Sequence, residues 1–140
     1  MNLHIAKKIA LVTGASQGIG FAIAQGLASE GTRVLMNARN EKTLYEAVEK
    51  IRLGGGEAFG IPGDVSRPEQ IETLFDKARL VLGSPEILVV NAGGPPTGKA
   101  AILSDEIWAK GYELTLMSSI RLARAALPAM QAKGWGRIVN

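Results

Sequence analysis

The sequence predicts an α/β domain built on a doubly wound parallel sheet. Three observations carry that expectation. Apolar runs of strand length alternate with stretches of helical period along the 140 residues. The first run, residues 9–13, ends in a turn containing Gly14, Gly18 and Gly20, and a helical pattern follows it. A later run, residues 87–90, is apolar on both faces, as a central parallel strand must be.

Each element has its own justification. Residues 18–30 read as the first helix; Ile23, Leu27 and the alanines at 22, 24 and 28 give a slim face for close packing on a sheet, and Gly31 is a natural stop. Residues 34–38 form the second strand. Asn40 can cap the next helix, in which Leu44, Ala47, Val48 and Ile51 share one stripe before Gly54. A short third strand spans 58–61. Asp64 and Val65 follow, and Ser66-Arg67-Pro68-Glu69 reads as a capping box with proline in the first turn. Ile71, Leu74, Phe75, Ala78 and Leu82 stripe the third helix. After the fourth strand comes an irregular loop from Asn91 to Pro96. Ser104 opens a long helix to about residue 133, which Pro128 is expected to kink or end. Gly134-Trp135-Gly136 turns the chain into a fifth strand at Arg137. With no composition shift, repeat or linker, one domain is expected over residues 1–140.

Composition excludes several classes. A 46% hydrophobic content supports a packed core and argues against disorder. With no cysteine and one histidine, His4, no disulfide framework, thiolate metal site or histidine-based triad can be built, and no metal is expected. The lack of cysteine fits a cytoplasmic protein. No apolar run approaches the roughly 18 residues that a membrane span needs, so no membrane partner is expected. Net charge is +3, with the basic residues scattered. No basic stripe with interleaved aromatics marks a nucleic-acid surface, and the balance suits an anionic small ligand equally well.

The glycine turn has a physical reading. A strand must turn sharply and let a polyanion lie against bare backbone, and glycine allows both. The following helix then presents free N–H groups and its positive dipole end. The alternative is a glycine-rich turn that holds no ligand. The spacing, Thr13-Gly14-x-x-x-Gly18-x-Gly20, is T-G-x-x-x-G-x-G, and Asn91-Ala92-Gly93 lies downstream. Together these motifs resemble the short-chain dehydrogenase/reductase family, and within it members like the 3-oxoacyl-carrier-protein reductases. The resemblance covers nearly the whole chain, from about Lys7 onward.

The resemblance implies a Rossmann-type sheet in the order 3-2-1-4-5, incomplete after the fifth strand. It implies an NADP(H)-dependent oxidoreductase that moves hydride between nicotinamide and a carbonyl/alcohol pair, built as a homotetramer or homodimer through the long helix. Gly14, Ser16, Gln17, Gly18, Ile19 and Gly20 would cradle the pyrophosphate side. At the end of strand two, an acidic residue would bind ribose hydroxyls and an arginine would accept a 2′-phosphate. Ala38 stands at the acidic position, with Arg39 and Asn40 after it, which favours NADP(H) over NAD(H). Gln17, where the family often has a second basic residue, departs from that pattern. Asp64 and Val65 would hold the adenine; from the sequence alone a turn aspartate supporting the helix start is nearly as good a reading, and the family pattern favours the adenine. Asn91, Ala92 and Gly93 would line the ribose while bracing the central sheet.

Two departures stand out. The family's relay asparagine, which holds a water, falls on Thr115 here; either the relay is rearranged or this member works differently. Ser118, Ser119, Trp108 and Tyr112 read as helix packing or an oligomer face. The family's serine, tyrosine and lysine are not found: Tyr45 is followed four residues on by Glu49, and Tyr112 by Leu116. The triad is therefore expected beyond residue 140, in a longer parent protein, since the fifth strand would otherwise be an unpaired apolar edge. The alternative is a dinucleotide-binding or redox-sensing module without catalysis of its own.

Overall fold

The computed structural model describes residues 3–140; residues 1 and 2, the start of the expected 1–140 domain, lie outside them. Five parallel strands form one sheet in the order β3-β2-β1-β4-β5, as the sequence implies. They are β1 (Ile9–Val12), β2 (Arg33–Ala38), β3 (Ala58–Pro62), β4 (Ile87–Val89) and β5 (Arg137–Val139). The helices between them are α1 (Gly18–Ser29), α2 (Glu41–Leu53), α3 (Pro68–Val81), α4 (Asp105–Tyr112) and α5 (Ser118–Lys133), with a π-helical turn, Glu113–Met117, joining the last two.

Strand alternation sorts the core into two layers. Ala10, Val12, Val34, Met36, Ile87 and Val89 face one side, where Ala24 and Ala28 of α1 and Leu44, Ala47, Val48 and Ile51 of α2 cover them. Leu11, Leu35 and Leu88 face the other, against Ile71, Leu74, Phe75 and Ala78 of α3 and Leu122, Ala126 and Met130 of α5. β1 sits in the middle, in register with β2 (Leu11 beside Leu35) and with β4 (Leu11 beside Leu88). Burial on both faces is why these strands read as continuous apolar runs. Ala22, expected on the packing face of α1, is exposed; only Ala24 and Ala28 are buried, one turn apart.

The ends of the sheet differ. At the amino-terminal end of β4, buried Glu86 accepts hydrogen bonds from Lys8 Nζ at 2.9 Å and the Ile9 amide at 3.2 Å, with Lys133 Nζ at 3.6 Å. The Trp135 ring lies under Lys8 and Arg137, at 4.3 and 4.8 Å from centroid to cation. This cluster ties β1, β4 and β5 together at the end opposite the glycine turn.

Three expectations are corrected. Ser66 does not cap α3. Its amide and hydroxyl both donate to Asp64 Oδ1, at 2.9 and 2.7 Å, so the helix starts at Pro68 behind Arg67. The reaching-back side chain is Gln70, whose Oε1 accepts from the Asp64 amide at 2.6 Å. Pro128 does not end its helix: α5 runs through it to Gly134, which has φ +64°. Arg124, whose carbonyl loses its partner to the proline, is exposed, while Leu122, Ala126 and Met130 stay buried on one face. The break in the long helix comes instead at the π-helical turn, a rare distortion that side-chain periodicity does not reveal.

Candidate functional site

The strand order reverses between β1 and β4, and ligands of such sheets bind outside the carboxyl ends of the strands at that switch point. A cavity of about 550 Å³ opens there. Its floor is set by one contact across the switch. Buried Thr13, at the end of β1, donates its hydroxyl to the Asn91 carbonyl at 2.7 Å and accepts the Asn91 amide at 3.0 Å. The Asn91 side chain returns the bond, donating to the Gly14 carbonyl at 3.1 Å and the Thr13 carbonyl at 3.3 Å. Residues from the ends of β1 and β4 are thus locked together, and the loops after both strands line the cavity.

The glycine turn lines one wall. Gly14 has φ +59°, and a Cβ on it would lie 2.7 Å from both the Asn91 carbonyl oxygen and Nδ2. Gly20 is buried in the first turn of α1, where a Cβ would lie 2.2 Å from the Gly14 carbonyl oxygen. The two glycines bring the start of α1 directly onto the turn. No side chain caps α1 and no acidic residue occupies its first turn. Its amino end is therefore suited to an anion. The Ala15 amide, donating to the Asn37 carbonyl at 2.9 Å, fixes the turn to β2.

The structure gathers the expected residues. Gly14, Ser16, Gln17, Gly18 and Ile19 line the cavity from the turn. Arg39 and Asn40 line it from the end of β2, Asp64 and Val65 from the end of β3, and Asn91, Ala92 and Gly93 from the end of β4. Asn40 serves two purposes, since its Oδ1 also accepts the Thr43 amide at 3.0 Å and caps α2. Burial pushes the Asp64 carboxyl up, but hydrogen bonds from Ser66, with Arg39 and Arg67 nearby, outweigh it and hold the group below the usual aspartate range. Asp64 is a charged acceptor in that wall.

Two expected residues stand elsewhere. Gly20 does not line the cavity; it acts from behind, by letting α1 approach Gly14. Thr115 lies in the π-helical turn, faces a neighbouring cavity, and donates its hydroxyl to the Gly111 carbonyl at 2.7 Å. Its neighbour Leu114 lines the first cavity instead. Ser118 is buried and bonded to the Leu114 carbonyl, so it belongs to helix packing.

Other lining residues were not singled out from sequence. Asn37 lines the cavity and is buried; its Nδ2 donates to the Ile61 and Gly63 carbonyls at 3.0 and 3.2 Å, which positions Asp64. A single amide inside an apolar strand was the available signal. Thr43 and Gly63 also line the cavity, and nothing in their local sequence marks them.

A parallel sheet of this order, with its crevice at the switch point, defines a Rossmann-type α/β protein. The sequence matches the short chain dehydrogenase family over residues 8–140. It is 41% identical over 135 residues to a putative ketoacyl reductase of Streptomyces coelicolor, covering 95% of this chain and 52% of that protein. It is 39% identical over 133 residues to the 3-oxoacyl-acyl-carrier-protein reductase of Escherichia coli, covering 95% and 53%. The L-sorbose reductase of Gluconobacter frateurii, solved with NADPH and L-sorbose, superposes with a TM-score of 0.94 at 37% identity, over 99% of this chain and 53% of that one. The chain belongs to the short-chain dehydrogenase family of oxidoreductases, and it spans about half the length of the relatives it matches. Among the described residues, no helix is long and apolar enough to cross a membrane.

Proposed function

We propose that this chain supplies the cofactor-binding half of an NADP(H)-dependent carbonyl reductase that acts in the cytoplasm. The observation that carries this reading is Arg39 at the lip of the crevice, directly after Ala38, with no carboxylate at the end of β2 to repel a 2′-phosphate. Solved relatives with NADPH bound support it: the L-sorbose reductase and the actinorhodin polyketide ketoreductase.

The residues present fit the cofactor. The Gly14–Gly20 approach leaves a bare cradle that a Cβ would fill, and the open end of α1 offers N–H donors to the pyrophosphate. Gly14, Ser16, Gln17, Gly18 and Ile19 would hold the phosphates. Arg39 and Asn40 would hold the 2′-phosphate, Asp64 and Val65 the adenine, and Asn91, Ala92 and Gly93 the ribose next to the nicotinamide. When bound, the cofactor supplies or accepts the hydride. The chain's own task would be to orient it, with Thr13 and Asn91 fixing the wall beside which the ring would be held. By family resemblance proton transfer is assigned to groups outside this chain; the Thr115 hydroxyl donates to the Gly111 carbonyl. A dinucleotide-binding or redox-sensing module would use the same crevice and is the second reading.

Calorimetric titration with NADPH and NADH tests the cofactor assignment. NADPH is expected to bind more tightly, by about tenfold or more; equal affinity refutes the role of Arg39. Transfer of label from 4-deuterated NADPH to a ketone by the parent protein separates the reductase from the sensor. Assembly through α5 is expected to use Ile120 and Leu127, which are exposed on it, and light scattering of the parent tests this.

A further inference from the structure

β3 is the outermost strand on its side of the sheet, so half of its backbone groups face no neighbouring strand. The register tells which half. The Val34 amide donates to the Glu57 carbonyl and the Gly63 amide to the Ala38 carbonyl, at 2.9 and 3.0 Å. With Val34 beside Ala58 and Ala38 beside Pro62, residues 57, 59, 61 and 63 turn toward β2. Ala58, Gly60 and Pro62 therefore turn their backbone groups outward. The segment Ala58-Phe59-Gly60-Ile61 is uncharged, and Glu57 before it is paired with Arg33 of β2 at 2.9 Å. An uncharged outward edge is a template for a strand of another chain.

One side chain closes it. Arg52, in the last turn of α2, donates its Nε to the outward carbonyl of Ala58 at 2.8 Å. That distance puts Nε where the amide nitrogen of an added strand would sit. The rest of the group is fixed as well. Nη1 donates to Glu49 at 2.9 Å, and the guanidinium carbon lies 5.2 Å from the centre of the Phe59 ring. α2 and Ala58 belong to one layer of the core, whereas Phe59 packs against the other. Arg52 thus wraps around the edge from one face of the sheet to the other. Pro62 has no N–H, so of the three outward positions only Ala58 and Gly60 carry donors.

We propose that Arg52 is a latch on the sheet edge, which keeps a second copy of this chain from adding its own β3 there. The excluded partner is a second copy because the edge is self-complementary. About a two-fold axis at Gly60, the N–H and C=O of one Gly60 meet the C=O and N–H of the other, and each Ala58 N–H meets a Pro62 carbonyl. The Pro62 ring nitrogen of the other copy would then point at the Ala58 carbonyl, the place that Arg52 holds. Pairing requires Arg52 to leave.

The test is sedimentation velocity of the full chain over a range of concentrations. Arg52→Ala is expected to strengthen self-association at least about tenfold. Adding Pro62→Ala, which restores the missing N–H, should strengthen it further. Arg79→Ala is the control. Arg79 also pairs with an acid three residues earlier on an exposed helix, Asp76, and bonds no strand among the described residues. Its loss should change association by less than about twofold. Hydrogen exchange reads the place: the Gly60 amide should be protected at least about tenfold more in the Arg52→Ala assembly than in the unsubstituted protein. Arg52 is exposed, so folding is spared, and circular dichroism melts check that. Association unchanged by Arg52→Ala, or raised equally by Arg79→Ala, overturns the proposal. So does an assembly that leaves the Gly60 amide unprotected, since another surface would then be the interface. A loss of stability in urea with no gain in association makes Arg52 a brace of the Gly54–Gly56 turn and overturns it as well.

Discussion

Replacing Gly20 by alanine probes the point on which the crevice depends. The added methyl would lie 2.2 Å from the Gly14 carbonyl oxygen and 2.7 Å from Asn91 Nδ2, inside the 3.0 Å that real contacts respect. Both obstacles are rigid, because the oxygen is backbone and the amide is held by two hydrogen bonds, at 3.1 and 3.3 Å. The start of α1 must then recede by roughly 1 Å, an overpacking cost of about 1–3 kcal/mol. Loss of the Asn91 side-chain bonds adds about 1 kcal/mol. The expected destabilisation is therefore about 2–4 kcal/mol, a large share of the roughly 5–15 kcal/mol that holds a domain together. In urea, with a slope near 1.5 kcal/mol/M, the midpoint should fall by roughly 1–3 M. Gly26 of the same helix is the control. A Cβ there meets nothing within 4 Å and its φ is not positive, so Gly26→Ala should stabilise by about 0.5–1 kcal/mol. Urea titrations followed by far-ultraviolet circular dichroism measure both. A Gly20→Ala midpoint unchanged within error, or a Gly26→Ala loss of the same size, would refute the argument that close approach rather than helix propensity requires glycine at position 20.

Three further outcomes are expected. Arg39→Ala should weaken NADPH by about 10- to 100-fold, the loss of one or two charge-assisted bonds, and leave NADH within about twofold, as calorimetry can read. Thr13→Val should cost about 2–4 kcal/mol in urea titration, because it strands the Asn91 amide and removes the bond at 2.7 Å in a fully buried site. Glu86→Gln should flatten the acid limb of stability. Burial pushes the Glu86 carboxyl up, but Lys8, the Ile9 amide and Lys133 outweigh it and hold the group below its ordinary value of 4.5. A depressed carboxyl contributes stability above its unfolded value and loses it as pH falls through the folded one. The unsubstituted protein should therefore lose stability below about pH 4.5 more steeply than the variant, and identical melting curves from about pH 3 to 5 would remove Glu86 from the account.

Much of the architecture was legible in order along the chain. Strand runs, helix stripes and glycine stops depend on burial alternation and backbone preference, which are local properties. Leu44, Ala47, Val48 and Ile51 fell on the buried side of α2 because a helix repeats every 3.6 residues whatever it packs on. Most residues of the crevice were nameable for a related reason: they follow the carboxyl ends of consecutive strands, and parallel winding brings those ends to one edge.

Competition between partners was not legible. Ser66 looked like a cap, but Asp64 two residues earlier captured it and Gln70 took over the reaching-back bond. The bulge that turns Thr115 away from the crevice, and Leu114 into it, has no periodic signature.

The sequence by itself determined the α/β class, the position of each strand and of the first three helices, the glycine turn and the arginine after β2, because each is fixed by a few neighbouring residues. Only the tertiary structure decided what Gly20, Asn37 and Glu86 do and which partners Asn91 takes. Their partners lie far along the chain: Thr13 and Asn91 are 78 residues apart, as are Lys8 and Glu86. A hydrogen bond or a forbidden Cβ between such positions exists only once the sheet has set them side by side, so no local pattern carries it.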